Sequence, residues 1–345
     1  MRMKIVEKIS IGCLLLMVLA SCDGNRTDDT IEIPVSEYGY IFFNTEVESR
    51  GALLEERLED SFGVLGYTYD KDWETARPQA TPNVFHKQLI EYKKVNNVYT
   101  HTYSPLQPWL GLQKYSFFAY YPFSEDLMAP SASTHEGNPY VVYTLASRTK
   151  VTDLVDVMTG QVFDTDASAR TVDFTMKHRL TAIDIVARNF SEANVTVEVS
   201  AMKIMFNNLL YDKVKIPLNT NDEPGLVYDY DVAENQIATY TLVNAPIEIK
   251  PNEQKNITSD GKTMIVIPQN TPLEGIIDIT FKKSSGTKNS SGTENTFTQE
   301  FKMNKEIQAG RRYYMQLAFT QKEITIAIVE SKEWADADNI YHEFE

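Results

Sequence analysis

The two cysteines carry the most distinctive chemistry in this chain of 345 residues. Cys13 and Cys22 both lie within the first 22 residues, and the remaining sequence contains no thiol. A disulfide framework needs cysteines spread through the fold, so this pair cannot provide one. A cysteine can also act as a nucleophile that accepts another group. Cys22 stands directly after an apolar run, which positions it for chemistry at a membrane surface.

The segment before Cys22 has the three parts of a secretory signal. A basic start is followed by an apolar run from Ile9 to Ala20 and by a small residue, Ser21. Twelve apolar residues rise only about 18 Å as a helix, which is too short for a hydrocarbon core of roughly 30 Å. We therefore predict a cleaved signal at residues 1–21 rather than a permanent membrane span.

The four residues LASC (19–22) resemble the lipobox of bacterial lipoproteins. In that class a diacylglycerol is attached to the cysteine thiol, and the signal is then cut between the residues that correspond to Ser21 and Cys22. The resemblance implies that Cys22 is the lipidation site and carries fatty acyl chains such as palmitate. Two or three such chains give stable anchoring, and residues 22–36 would form the lipidated tether. The alternative is an ordinary signal followed by a free cysteine.

Other residue types that could perform chemistry do not form a recognisable pattern. The chain has no G-x-S-x-G motif for a serine nucleophile, and SDGKT (259–263) has Asn256 where a phosphate-binding loop requires glycine. The histidines lack the spacing of a helical metal pair; they are His86, His101, His135, His178 and His342. A pair of glycosidase carboxylates has no sequence signature and stays open. We predict no catalytic residues, no metal and no cofactor.

The charge of the chain restricts its partners. The formal net charge is −15, and residues 1–21 carry three basic residues and one acidic residue, so the mature chain would have a charge of −17. An acidic surface argues against nucleic acid and against docking on anionic lipid. It suits a folded body held at a membrane by its lipid.

Short β-type segments separated by turn residues occupy the chain from about residue 37 onward. Period-2 alternation is clear late in the chain, where Ile324, Ile326 and Ile328 would share one face. Helical signals are limited to residues 51–60 and 152–160. The pattern predicts an all-β protein of two tandem sandwich domains.

The predicted amino-terminal domain spans residues 37–170 and the carboxyl-terminal domain residues 171–345. The boundary lies in the polar segment DTDASARTVD. The repeated SSGTKN and SSGTEN sequences at 284–295 predict the tip of an extended hairpin, because Ser, Gly, Thr and Asn cannot build a core.

Several segments in a fixed order resemble the fimbrillin family of Bacteroidales surface lipoproteins, the subunits of type V pili. They are LASC (19–22), SRG (49–51), KYSFFAYYPF (114–123), FTMKHRLTAIDI (174–185), MIVIPQ (264–269), AGRRYYMQLAF (309–319) and SKEW (331–334). The resemblance implies two transthyretin-like β-sandwich domains, no catalysis, and a location in the outer membrane, on the cell surface and in the fimbrium. The implied partners are other pilin subunits, which exchange strands, and an arginine-specific protease.

The resemblance places the protease cut between Arg50 and Gly51. The segment 36–47 before it reads as a strand, and glycine helps a chain to enter a protease cleft. Removing that strand would expose a groove that another subunit's strand could fill. Arg26 and Arg57 are rival cut sites, and the donor strand is expected near Ile324, Ile326 and Ile328.

A second function is kept as an alternative, namely a monomeric surface lipoprotein that binds glycans through exposed aromatic residues. The stacking platform would be Trp73, Trp109 or Trp334. Packing of each tryptophan in the core is the simpler interpretation.

Overall fold

A computed structural model describes residues 38–47, 58–111, 113–124, 127, 137–144, 150–207, 213–219, 229–231, 239–259, 262–285 and 292–333. The described residues from 38 onward belong to one compact unit, Ser36–Glu345. Strands dominate this unit, which confirms the prediction of an all-β fold.

The described strands follow one another along nearly the whole unit. The first ten are β1 (Phe42–Val47), β2 (Phe62–Tyr69), β3 (Phe85–Val95), β4 (Val98–Thr102), β5 (Lys114–Tyr121), β6 (Tyr140–Thr144), β7 (Met158–Thr165), β8 (Thr171–His178), β9 (Thr181–Asn189) and β10 (Val195–Phe206). The next ten are β11 (Lys213–Pro217), β12 (Asp229–Asp231), β13 (Thr239–Val243), β14 (Ile247–Ile249), β15 (Gln254–Asn256), β16 (Met264–Val266), β17 (Gln269–Ser285), β18 (Glu294–Ile307), β19 (Arg311–Phe319) and β20 (Ile324–Glu333).

Helical structure in the described residues is short. One α-helical turn, α1, spans Trp73–Ala76 and is capped by the Asp72 side chain, which accepts from the Thr75 N–H. Three 3₁₀ turns cover Arg77–Gln79, Val151–Asp153 and Ala167–Ala169. The helix predicted at 152–160 is wrong. That segment is a 3₁₀ turn followed by β7, whose first residues are buried in the sheet. The other predicted helix, 51–60, lies mostly outside the described residues.

The strands form four sheets. The largest has seven strands in the order β1-β8-β7-β5-β2-β3-β4. Two five-stranded sheets have the orders β13-β10-β17-β18 and β15-β9-β19-β20, with β14 added to β10 and β16 added to β9. A smaller sheet joins β12, β11 and β6. Most neighbours are antiparallel, but β1 with β8 and β9 with β19 are parallel.

Two hydrophobic cores lie on opposite faces of the seven-stranded sheet. In β5, Tyr115, Phe117 and Ala119 enter the smaller core, which we call the amino-terminal core, whereas Phe118 and Tyr120 enter the larger core. A strand that is buried on both faces reads as a continuous apolar run, which explains the sequence YSFFAYY. The larger core extends through the second half of the chain to Ile324.

Strands from both sides of residue 170 share sheets. β8 joins β7 and β1, and β6 pairs with β11 through residues such as Tyr143 and Val214. The division into domains 37–170 and 171–345 stays a prediction. At the predicted hairpin tip, β17 and β18 are antiparallel neighbours as expected, and residues 286–291 between them lie outside the described chain.

Candidate functional site: the first strand and the groove that holds it

The predicted site residues themselves lie outside the described part of the chain. These are Ser21 and Cys22 at the signal cleavage and lipidation site, and Arg50 and Gly51 at the predicted protease site. The structure does describe the strand that ends shortly before Arg50 and the groove that holds that strand.

Strand β1 forms because its side chains alternate between the amino-terminal core and solvent. Ile41, Phe43 and Thr45 are buried, and the Phe43 side chain is only 3% exposed. Phe42 between them is 45% exposed. This period of two is the pattern of a strand that covers a core with one face. Within the predicted strand 36–47, residues 41–45 therefore alternate, with Ile41, Phe43 and Thr45 on the buried side.

The backbone of β1 is held on one side by a parallel ladder. Its six residues pair with β8 from Phe42 opposite Thr171 to Val47 opposite Met176. β1 is the first strand of its sheet, so this ladder uses one of its two edges. An edge strand can leave a sheet without breaking any pairing between the strands that remain.

The start of β1 is held on its other side by the segment 103–109. The Ile41 N–H donates to the Gln107 carbonyl at 2.9 Å, and the Trp109 N–H donates to the Gly39 carbonyl at 3.1 Å. The buried Tyr103 hydroxyl donates to the Ile41 carbonyl at 2.7 Å. Burial raises the pKa of Tyr103 from its ordinary value of 10 to about 12.

The Phe43 side chain is surrounded by aromatic rings in the amino-terminal core. Its ring stacks on Phe174 with a centroid distance of 5.8 Å, and it meets Phe85 and Phe117 edge-on at 5.6 Å each. Tyr103 lies against it at 5.8 Å. Aromatic pairs in these arrangements contribute about 0.5–1.5 kcal/mol each beyond the area they bury. Phe43 is therefore the main side-chain anchor of β1.

The described residues offer little for other kinds of site. No group of three or more His, Cys, Asp or Glu side chains within them could hold a metal ion. His178 Nδ1, at the end of β8, lies 2.6 Å from Asp156 Oδ2. No helix in the described chain is long and apolar enough to cross a membrane.

Trp73 and Trp109 do not provide the platform considered for glycan binding. Trp73 is 2% exposed and Trp109 is 1% exposed, and both pack against aromatic neighbours such as Phe118 and Tyr115. That part of the alternative is wrong because the rings are core residues. Trp334 lies outside the described residues.

Two features of the groove were missed by the sequence analysis. The parallel partner of β1 is β8, 129 residues further along the chain for the pair Phe42 and Thr171, and no local pattern indicates it. The second wall is the segment 103–109, whose proline-containing sequence SPLQPW reads as a loop. In the sequence of that segment, packing is indicated only by the aromatic residues at its two ends, Tyr103 and Trp109, and both are buried.

The comparisons with known proteins identify the family. A family model described as fimbrillin-like matches residues 55–334. The chain belongs to the fimbrillin-like family. A search of curated proteins found no match.

Solved structures of low sequence identity share this fold. A fimbrial protein from Bacteroides vulgatus aligns with a TM-score of 0.64 and 17% identity, over 85% of this chain and 99% of its own. A candidate cell adhesion protein from Bacteroides ovatus aligns with a TM-score of 0.53 and 15% identity, over 87% and 99%. Fimbrial and adhesion proteins of this kind act at the cell surface, and the family is not known for catalysis.

Proposed function

We propose that this fimbrillin-like chain is a subunit of a surface pilus that is assembled by strand exchange after proteolysis at Arg50. The precursor would reach the outer membrane as a lipoprotein anchored through Cys22. An arginine-specific protease would cut before Gly51, and β1 would then be connected only to the lipid-bearing segment. Another pilin subunit would supply a strand to the vacated groove.

The observation that carries this proposal is that β1 is an edge strand and is anchored in the amino-terminal core by Phe43. β1 precedes Arg50, whereas every other described strand follows it. A cut at Arg50 therefore separates one described strand from the rest of the fold and interrupts no other described element. Only non-covalent contacts would then hold the separated strand. These are its ladder with β8, its hydrogen bonds with the segment 103–109 and the packing of Phe43 among aromatic rings.

Loss of β1 would leave a groove suited to an incoming strand. The exposed surfaces would be the backbone edge of β8 and the rings of Phe174, Phe117, Phe85 and Tyr103. Unpaired ladder groups beside an apolar surface bind an extended segment by β-augmentation. The free energy gained by covering this surface would drive assembly.

The carboxyl-terminal donor expected from the sequence has a place in its own sheet. β20 pairs with β19 from Phe319 opposite Ile324 to Arg311 opposite Glu333. Ile324 is buried in the larger core. Release of β20 would therefore uncover part of the larger core of this subunit. For this reason we propose that the chain acts first of all as a strand acceptor.

The decisive experiment replaces Arg50 with Ala in cells that form polymers. Protein released from the surface should begin at Gly51 in the unaltered chain, and Arg50→Ala should abolish both this terminus and the ladder seen on unboiled gels. Arg57→Ala and Arg26→Ala are matched controls that should leave both unchanged. A mature chain that still begins at Cys22 while polymers form normally would refute the mechanism.

The lipid anchor is tested separately. Cys22→Ala should remove the label of a fatty-acid probe and release the protein from membranes or leave its signal uncut. Ser21→Gly keeps a small residue at the cleavage site and should retain the label. Unchanged labelling of Cys22→Ala would end the lipoprotein assignment without affecting the Arg50 test.

A further inference from the structure

The β3–β4 hairpin carries an exposed aromatic and cationic tip that the proposed assembly does not use. β3 pairs with β2 through residues 85–90, whereas residues 91–95 pair with β4 alone. The outer part of the hairpin is thus a two-stranded ribbon that extends past its neighbour. Because β3 and β4 follow Arg50 in sequence, the ribbon would remain in the subunit after the proposed cut.

The ribbon ends in a two-residue turn of defined geometry. Asn96 and Asn97 connect the paired residues Val95 and Val98, and their φ angles are 49° and 67°. Positive φ at both central positions is the signature of a type I′ turn, whose twist matches that of the flanking strands. The tip is therefore presented in a preorganised shape, which lowers the entropy lost when a ligand binds.

Apolar exposure is concentrated on this ribbon. Among the described residues, three of the seven most exposed large apolar side chains are Val95, Val98 and Tyr99. Val98 is 65% exposed and Tyr99 is 55% exposed. Val95 and Val98 lie on one face of the ribbon and Tyr99 lies on the other, because side chains alternate along each strand.

One face of the ribbon combines aromatic rings with a cation. The pairs Tyr92–His101 and Lys94–Tyr99 lie on the same face because side chains alternate along each strand. The rings of Tyr92 and Tyr99 stack with a centroid distance of 5.5 Å and an interplanar angle of 25°. Tyr92 also contacts His101 at 5.1 Å, and His101 packs edge-on against Phe62 at 5.0 Å. The exposed Tyr99 ring is therefore supported by a row of packed rings that reaches the sheet.

The opposite face carries an ion pair and, at the tip, the exposed side chains of Val95 and Val98. Lys93 Nζ forms an ion pair with Glu91 at 2.7 Å. Residues 91–100 contain two lysines and one acidic residue, whereas the whole chain has a net charge of −15. An anionic ligand would therefore be attracted to the ribbon and repelled by most of the remaining surface.

We infer that the aromatic face of the β3–β4 ribbon binds an acidic carbohydrate through stacking on Tyr99 and charge pairing with Lys94. A pyranose ring presents a flat apolar face to an aromatic ring, and its carboxylate or sulfate would reach the ammonium group. The Asn96 and Asn97 amides at the turn supply both donors and acceptors for sugar hydroxyls.

Two other kinds of ligand fit the ribbon less well. A standard protein interface uses about 20–30 residues on each side, and the ribbon offers roughly half the lower number. Insertion into a lipid bilayer would bury the amides of Asn96 and Asn97 at the tip, which is unfavourable unless they form new hydrogen bonds. A sugar ligand matches the size of the site and keeps the amides in water.

The test measures binding of the full chain to immobilised chondroitin sulfate, hyaluronan and dextran at about 0.15 M salt. We expect binding to one or both acidic polysaccharides and none to neutral dextran. Tyr99→Ala and Lys94→Gln should each weaken it about tenfold or more, and Tyr99→Phe should retain most of it. Phe190→Ala and Lys322→Gln change an exposed ring and an exposed lysine elsewhere and should have no effect.

Unchanged melting temperatures of the ribbon variants will show that the fold is intact. Equal binding to dextran, binding to none of the three polysaccharides, or equal loss in the two control variants would each overturn the inference. Vesicles of neutral and anionic phospholipid serve as a final probe. Binding to vesicles in place of polysaccharide, with loss in Tyr99→Ala, would identify a lipid surface instead and also overturn it.

Discussion

Strands β1 and β20 are both edge strands with alternating apolar residues, yet the fold holds them in different ways. β1 is joined to β8 by a parallel ladder of six residue pairs, and β20 is joined to β19 by an antiparallel ladder of eight. Parallel pairing is slightly less stable per residue, so the backbone of β1 is held more weakly. Its side chains compensate, because Phe43 sits among four aromatic rings.

The connections of the two strands differ as well. β20 follows β19 through a tight turn in which the Thr320 N–H donates to the Glu323 carbonyl at 2.9 Å. A detached β20 would therefore stay tethered beside its own sheet. β1 has its nearest partner, β8, far along the chain, so a single cut after β1 would end its covalent connection to the rest of the fold. How easily an edge strand can be removed from this fold therefore depends on its connection to the chain and on one anchor residue, and it does not depend on the alternation pattern.

The largest expected effect comes from Phe43→Ala. Truncating this buried ring should lower the free energy of unfolding by about 3–5 kcal/mol, because it leaves a cavity among the surrounding rings. Phe42→Ala on the exposed face of the same strand is the matched control and should change it by less than about 0.5 kcal/mol. Urea denaturation of the two variants measures the difference. Similar losses in both would show that β1 is not anchored through Phe43.

Ile324→Ala should have the next largest effect. The side chain is buried in the larger core at the start of β20, and its truncation should cost about 2–3 kcal/mol. Thr325→Ala, whose side chain is exposed on the same strand, is the control. A greater loss for Ile324→Ala than for Phe43→Ala in the same denaturation series would reverse the comparison between the strands.

Tyr103→Phe should cost about 1 kcal/mol, because it removes the hydroxyl that donates to the Ile41 carbonyl. It also changes the pH dependence of stability. Burial raises the pKa of Tyr103 above its ordinary value of 10 to about 12, so the folded state holds this proton more tightly. That contribution is complete below pH 10 and is lost as the pH rises toward 12.

Thermal unfolding between pH 9 and 12 checks this window. The unaltered protein should lose more stability than Tyr103→Phe over the upper part of the range, although other buried tyrosines contribute to both curves. Parallel curves for the two proteins would show that the Tyr103 hydroxyl is not protected in the groove.

Asn44→Ala should produce the smallest change. The Asn44 amide donates to the Asp173 carboxylate at 2.9 Å across the β1–β8 ladder, but the pair is exposed to solvent. Exposed side-chain contacts contribute little, so the free energy of unfolding should fall by less than about 0.5 kcal/mol. A loss above 1 kcal/mol in the same urea titration would mean that the exposed face of β1 also holds the strand.

The sequence alone determined the local character of this protein. Period-2 alternation at residues 36–47 and 324–328, together with aromatic runs such as KYSFFAYYPF, was sufficient to predict an all-β fold, because burial on a pleated surface leaves a direct trace in residue order. The ordered motifs were sufficient to indicate the fimbrillin family, which the comparisons confirm. Cys22 and Arg50 stay predictions from the same source.

Which segments of the chain contact one another became clear only from the three-dimensional structure. The pairing of β1 with β8, the wall formed by residues 103–109 and the burial of Trp73 and Trp109 all depend on contacts between distant parts of the chain. The helix predicted at 152–160 failed for the same reason. Its apolar residues Val157 and Met158 fit a helical period locally, but Met158 pairs with Tyr121 of β5, and Val157 just before the strand is buried in the larger core. Long-range pairing is set by the global packing of the cores, and residue order within a short window does not encode it.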